Sequence, residues 1–318
     1  MYTITIIGGG AISTGYDSPK DKNILTHIHG SSVHPDIKLD AIVEIDILQQ
    51  SHIRDKWGED FELFFNVEEA LKKYKSDIVV VATPTSTHLN IIKEIYKIYE
   101  PKLILCEKPV VMTINELNEL EIIQNNKSTK ILTNYIRRFD PSINDMKRFI
   151  DTHIDEIHHF YGTFTKGFLH NGSHMIDLIY MLIGDITDID VLDKKVVDGD
   201  IFGKFIIKTD SSLGVISNID DNNLSLFEFS IYTDEAKIEI RGANQDSYIC
   251  NIKKSDTFSD YYSFSEEKKL SKTLNKYGYN SLEFAIKIID NDSLYNIVRL
   301  EQNKVNRFIL DSKEELIG

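Results

Sequence analysis

An apolar run near the start of the chain, Thr3–Ile7, ends directly in three consecutive glycines, Gly8-Gly9-Gly10. A strand that empties into glycines can turn tightly into a helix, and such a turn lets backbone approach a pyrophosphate at the helix N-terminus. The same pattern also serves ordinary strand-to-helix turns, and Ser13 stands where a third small glycine or alanine is usual. The surrounding sequence favours the first reading. Leu39–Ile45, Ile78–Ala82, Leu103–Cys106 and Ile131–Asn134 are further short apolar runs. Between them, Leu48–Trp57, Val67–Tyr74, His88–Tyr99 and Ile114–Gln124 carry helical spacing. Short apolar strands alternating with helices predict a parallel sheet covered on both faces.

The expected fold is therefore an α/β Rossmann domain over residues 1–135. It is followed over 136–318 by an α+β domain with an open, mostly antiparallel sheet. Beyond Asp140-Pro141 a helix is expected at Ser142–Asp151, a strand at Glu156–Lys166 and a helix from Gly172 to Ile183. Phe202–Lys208, Leu213–Ile219, Leu226–Thr233, Ala236–Arg241 and Asp246–Lys253 then alternate as strands between turn residues, and helices Ser281–Ile289 and Ser293–Phe308 close the chain. One irregularity lies early. The first helix breaks around Gly15–Pro19, and Ser18, Pro19 and Asp21 have the chemistry of a helix restart. The longer segment up to Pro35 is read as a loop over the cofactor or substrate.

Charge and cysteine content exclude several classes. The 318 residues carry 36 Lys and Arg against 50 Asp and Glu, a formal net charge of −14, without a basic run to attract nucleic acid. No apolar stretch approaches bilayer length, and the start lacks a basic leader, so no membrane association is expected. Cys106 and Cys250 are far apart, which points to a reducing cytoplasm rather than a disulfide framework. His27, His29 and His34, or His153, His158 and His159, lack metal-ligand spacing, so no metal site is expected.

Three strand ends carry the chemistry. The second strand closes in Glu44-Ile45-Asp46, where either carboxylate can accept hydrogen bonds from an adenosine ribose. Such a carboxylate repels a 2′-phosphate, which favours NAD over NADP. The third strand opens into Ala82-Thr83-Pro84-Thr85-Ser86-Thr87-His88, rich in hydroxyls, with His88 starting the next helix. The fourth ends in Cys106-Glu107-Lys108-Pro109, which can aim an ammonium into a cleft.

Together these runs resemble the glucose–fructose oxidoreductase / inositol dehydrogenase family (Gfo/Idh/MocA-like). The resemblance rests on Gly8–Gly10, ATPTSTH at Ala82–His88, EKP at Glu107–Pro109, NYIRRFDP at Asn134–Pro141 and KGFLHNGSHMIDL at Lys166–Leu178. It implies an NAD(P)-dependent dehydrogenase or reductase acting on CH–OH groups. Gly8, Gly10, Ala11, Ile12, Glu44, Asp46, Thr83, Pro84, Thr85, His88 and Glu107 would hold the cofactor. Lys108 would orient the substrate oxygen and His174 would act as acid/base, since an imidazole at a helix start can take an alcohol proton. The family commonly has aspartate four residues before that histidine. Here the position is His170, which puts proton transfer or substrate identity in question and makes His170 a third candidate catalytic residue.

Lys108, Arg137, Arg138, Lys166, Asn171 and His174 are the expected substrate contacts. Four cations in an acidic chain suggest an anionic sugar-like substrate. Arg137 and Arg138 can equally brace the domain junction through acidic neighbours. The predicted activity is reversible oxidation of a secondary alcohol on a sugar, sugar acid, nucleotide sugar or cyclitol, with the KGFLHNGSHMIDL form resembling members tied to surface-polysaccharide sugars. The resemblance also implies a homo-oligomer, a dimer or tetramer. A non-catalytic NAD(P)-binding regulator of the same fold is the other reading, against which the retained Lys108 and His174 argue.

Overall fold

A computed structural model describes residues 1–221, 223–242, 245–271 and 273–317. The chain runs β1 (Tyr2–Ile7), α1 (His27–Val33), β2 (Ile37–Val43), α2 (Ile47–Trp57), β3 (Glu62–Phe64), α3 (Val67–Lys73) and β4 (Ile78–Val81). It continues through α4 (His88–Ile98), β5 (Leu103–Cys106), α5 (Ile114–Asn126) and β6 (Lys130–Thr133). These six strands form a parallel sheet in the order β3-β2-β1-β4-β5-β6. Every residue of β4 and β5 is fully buried, because helices cover both faces and leave no solvent side to alternate with. Helix starts follow side-chain chemistry. Asn66 caps α3 through Glu69 N, and Thr113 with Glu116 forms a capping box on α5.

The second half adds α6 (Pro141–His153), β7 (Ile157–Thr165), α7 (Ser173–Leu182), β8 (Ile186–Val197), β9 (Asp200–Thr209), β10 (Leu213–Ile219) and β11 (Phe227–Thr233). Then come β12 (Ala236–Arg241), β13 (Asp246–Lys254), β14 (Tyr262–Phe264), β15 (Lys268–Lys269), α8 (Tyr277–Ile289) and α9 (Asp292–Ile317). The second sheet has the order β14-β13-β12-β11-β7-β10-β9-β8, with β15 beside β13. Its pairings are antiparallel except for β7 with β10. A Cβ on Gly162 of β7 would lie 2.8 Å from Met175 Sδ, so the missing side chain lets α7 pack close to the sheet. Asp198 and Gly199, both at positive φ, turn β8 into β9 as an Asp-Gly pair favours.

Two compact units emerge, and their division differs from the expected one at residue 135. Met1–Phe139 with Asn275–Leu310 form the first unit, and Asp140–Leu274 with residues 311–318 the second. The tail returns to the first unit because β6 is an edge strand that needs partners. Tyr295 Oη accepts from Ile131 N at 3.1 Å, and Gln302 bonds both N and O of Thr133 at 3.0 and 2.8 Å. Leu282, Ala285, Ile288 and Val298 complete the apolar cluster around Ile4, Ile6 and Leu132.

Other expectations also shift. No helix restarts at Ser18; Asp21 forms only a turn there, and α1 begins at His27, capped by Thr26. The Asp17 carboxylate gathers Leu25 N, Thr26 Oγ1 and His29 Nδ1 at 2.5, 2.5 and 2.8 Å, which ties the segment into a closed loop. The helix then presses Gly30 against Gly278 of α8, too close for any Cβ. Strand β8 was not expected because its Asp- and Lys-rich sequence has no apolar period; it is an edge strand exposed along most of its length. The short β3, β14 and β15 were likewise not expected.

Candidate active site

The carboxyl edge of the first sheet opens into a cleft of about 730 Å³, lined by Gly8, Gly9, Gly10, Glu44, Ile45, Asp46, Asn66, Thr83, Pro84 and Thr87, among others. The three glycines serve different ends. Gly8 has φ +102°, and a Cβ would meet Ala82 O at 2.6 Å, so β1 and β4 could not approach. A Cβ on Gly9 would meet Ile53 and Glu44. Around Gly10 a Cβ would meet nothing within 4 Å, so the chain's own packing does not demand glycine there. What its bareness provides is access to backbone from the cleft. An open glycine beside an acidic strand end suits a dinucleotide.

Glu44 is tied to this turn. Its Oε2 accepts from Gly9 N at 2.8 Å and its Oε1 from Asp46 N at 2.9 Å. Asp46 lines the same cleft but its carboxylate caps α2 through Leu48 N. Ala11 and Ile12 open a single π-type turn, Ala11–Gly15, in place of a full first helix. Its terminal carbonyls are satisfied from α2, by Trp57 Nε1 on Thr14 O at 3.0 Å and by Lys56.

On the β4 loop, Thr83 and Thr87 join hydroxyl to hydroxyl at 2.7 Å beside Pro84, whereas half-buried Thr85 does not line the cleft. His88 departs from the cofactor role expected of it. It is 1% exposed, with Nε2 2.7 Å from Thr83 O and Nδ1 3.1 Å from Pro109 O. The ring joins the β4 and β5 loops from behind instead of reaching the cleft.

Glu107 and Lys108 follow β5. Glu107 Oε1 receives Asn134 Nδ2 at 2.6 Å and lies 2.8 Å from His27 Nε2, while Ser281 Oγ donates to Asn134 Oδ1 at 2.9 Å. Burial works to push the Glu107 carboxyl up. The bonds from His27 and Asn134 and the Lys108 charge together hold it below its ordinary value. Burial, then the charges of Tyr16, Glu107 and Asp17, push the nearby Tyr277 hydroxyl up. Arg138 is buried and paired with Glu301 of α9, so its charge braces the tail helix within the first unit. Arg137 is 5% exposed.

In the second unit, Lys166 adopts φ +70° and leads into a π-type turn, Gly167–Gly172. Asn171 is pinned to Thr165 O at 2.8 Å, and Ser173 Oγ donates to His170 O at 2.8 Å. His170 is exposed. His174 sits in the first turn of α7, 5% exposed, with the buried Asp177 one turn on. Sequence reasoning missed Asp200. Its carboxylate accepts from Leu169 N at 2.8 Å and His170 N at 3.3 Å, and seats where a Gly167 side chain would stand. The signal was the Asp198-Gly199 hairpin, which places the next residue at a strand start.

Elsewhere Glu239, Cys250 and Glu267 converge, but Lys237 and Arg241 pair with the carboxylates and burial pushes the Cys250 thiol up. That cluster is an ion-pair network on the sheet. Among the described residues, no helix is long and apolar enough to cross a membrane.

The parallel sheet, the glycine turn and the acidic end of β2 give the first unit a Rossmann-type architecture, and the sheet of the second unit is mostly antiparallel. Residues 2–135, a little over two fifths of the chain, match the family described as "Oxidoreductase family, NAD-binding Rossmann fold". The scyllo-inositol 2-dehydrogenase (NAD(+)) of Bacillus subtilis (strain 168) is 34% identical over 99 residues, 30% of this chain and 26% of that protein. The inositol 2-dehydrogenase of Rhizobium meliloti (strain 1021) is 26% identical over 125 residues, 39% of this chain and 36% of that protein. The aligned stretches thus span between about a quarter and little more than a third of these relatives' own length. Among solved structures, KijD10, a 3-ketoreductase from Actinomadura kijaniata in complex with NADP, aligns with TM-score 0.71 and 13% identity, covering 98% of this chain and 96% of its own.

Proposed function

We propose that the first unit binds NAD, and that the chain oxidises or reduces a secondary alcohol or ketone on a sugar, sugar acid, nucleotide sugar or cyclitol. The observation that carries this reading is the open Gly10 backbone beside Glu44 in the cleft, on the sheet edge that also ends in Lys108. Glu44 favours NAD, because a 2′-phosphate would meet its carboxylate. The bound nicotinamide supplies the hydride acceptor or donor. The chain's own work is orientation and proton handling. Lys108 stabilises the substrate oxygen, and His174 takes the hydroxyl proton in oxidation and returns it in reduction. Glu107 lines the approach to Lys108, and His170 and Asn171 help seat the substrate.

The names of the sequence relatives favour a cyclitol. Lys166 and Arg137 extend the reading to anionic forms, including sugars of surface polysaccharides, whereas Arg138 is assigned as a brace. We place the protein in the cytoplasm, as a homo-oligomer that uses the second sheet. The test is to titrate NAD and NADP by fluorescence, then incubate with NAD and a panel of inositols, sugar phosphates, sugar acids and nucleotide sugars. Formation of reduced cofactor with one panel member supports the reading. Tight NAD binding without turnover on any member would favour the regulator.

A further inference from the structure

Three histidines of α1 and its C-terminus each pair with a carboxylate, but the pairs are not equivalent. His29 joins Asp17 within its own loop, and His34 joins Glu283, a partly exposed residue of α8. Only His27 reaches the carboxyl edge of the sheet, where it meets Glu107 next to Lys108. We propose that His27 is a positioning residue of the active site, fixing the Glu107 carboxylate and through it the direction of the Lys108 side chain. The proposal rests on the reading of Lys108 given above.

The geometry supports more than a packing role. His27 is 2% exposed and enters at the first residue of α1, where its rotamer is set by a closely held helix. Thr26 caps that helix, Asp17 ties the preceding loop, and the Gly30–Gly278 approach locks it onto α8. Glu107 Oε1 takes both His27 and Asn134, so the carboxylate is held from two sides. The His27 Nδ1 atom is buried and has no partner among the described residues. Two donors thus converge on one oxygen of a carboxylate whose neighbour is the candidate catalytic lysine. The groups facing Glu107 are His27 from α1, Tyr277 from α8, Asn134 after β6, and Cys106 and Lys108 on its own strand end.

The full-length protein tests this with His27→Leu and His27→Gln, the second keeping a side-chain N–H donor. In His27→Leu, kcat is expected to fall about 10- to 100-fold. NAD affinity should stay within about twofold, a change too small for loss of a cofactor contact. The acidic limb of kcat/KM should move to higher pH, because Glu107 loses a bond that holds its carboxyl down. His27→Gln should recover part of both. Equal losses in the two variants with an unmoved acidic limb would overturn the proposal and leave His27 a simple brace. An independent readout is the Lys108 Cε resonance in lysine-labelled protein. It should shift in His27→Leu and return toward wild type in His27→Gln. Absence of turnover in the wild type would defeat the functional reading alone. A Lys108 resonance unmoved by His27→Leu would defeat the positioning role even then.

Discussion

The backbone N–H of Gly9 donates to Oε2 of Glu44 at 2.8 Å, so the carboxylate ending β2 is held against the turn ending β1. The residue expected to choose between NAD and NADP is thus part of the glycine turn's own hydrogen bonding. Its position is preset before any nucleotide arrives, which lowers the ordering cost of binding.

Glu44→Ala should therefore weaken NAD by about 1.5–3 kcal/mol, the usual worth of hydrogen bonds to a charged group. NADP should lose less or gain, since the like charge is gone. Titration of both nucleotides checks this, and an unchanged affinity ratio would remove Glu44 from the specificity role.

The glycines should separate folding from binding. Gly8→Ala forces a Cβ toward Ala82 O at a positive φ, and is expected to cost about 1–3 kcal/mol of stability by denaturant titration. Gly10→Ala, which meets nothing within 4 Å, should leave stability within about 0.5 kcal/mol. Its NAD affinity should nevertheless fall tenfold or so, as the methyl blocks the approach that the bare backbone allows. Equal NAD affinity in wild type and Gly10→Ala would mean that the pyrophosphate lies elsewhere.

His88→Ala should act on stability first. It removes a ring bonded to Thr83 O and Pro109 O and leaves a cavity, together about 2–4 kcal/mol. Catalytic loss should follow from loosening of the two loops. A variant that folds as stably as wild type yet fails to bind NAD would restore His88 to the cleft.

The first sheet was legible because its strands are short, apolar and flanked by helical periods, so that Ile78–Val81 and Leu103–Cys106 could be little else. The return of Asn275–Leu310 to that sheet was not, because it depends on Gln302 and Tyr295 meeting the edge of β6, a long-range pairing with no local signature. The restart expected at Ser18 had good capping chemistry, but Asp17 captured Leu25 and Thr26 instead, a tertiary preference over a local one. In the site, motif residues such as Glu107 and His170 could be named from sequence. Their supports, His27 and Asp200, lie about 80 and 30 residues from what they hold, and only the fold brings them there.

Asp200 yields a prediction with a sign. Burial raises its carboxyl above the ordinary value against backbone N–H bonds from Leu169, Ile201, His170 and Phe168. The folded protein then binds that proton more tightly than the unfolded chain. The stability contributed by this site is full below the ordinary carboxylate range and declines as pH rises through the raised folded value. Asp200→Asn should flatten that part of the stability–pH curve. Asp200→Ala should cost about 2 kcal/mol by stranding the N–H groups of Leu169 and Ile201. A wild-type curve that rises with pH across this interval and is unaltered in Asp200→Asn would contradict the assignment.

The most direct measurement compares formation of reduced cofactor by wild type, Lys108→Ala and His174→Ala with NAD and the substrate that the panel selects. The roles assigned to these two residues predict turnover by the wild type and a loss of roughly 100-fold or more in each variant, with NAD affinity retained. Turnover unchanged in both variants would contradict them.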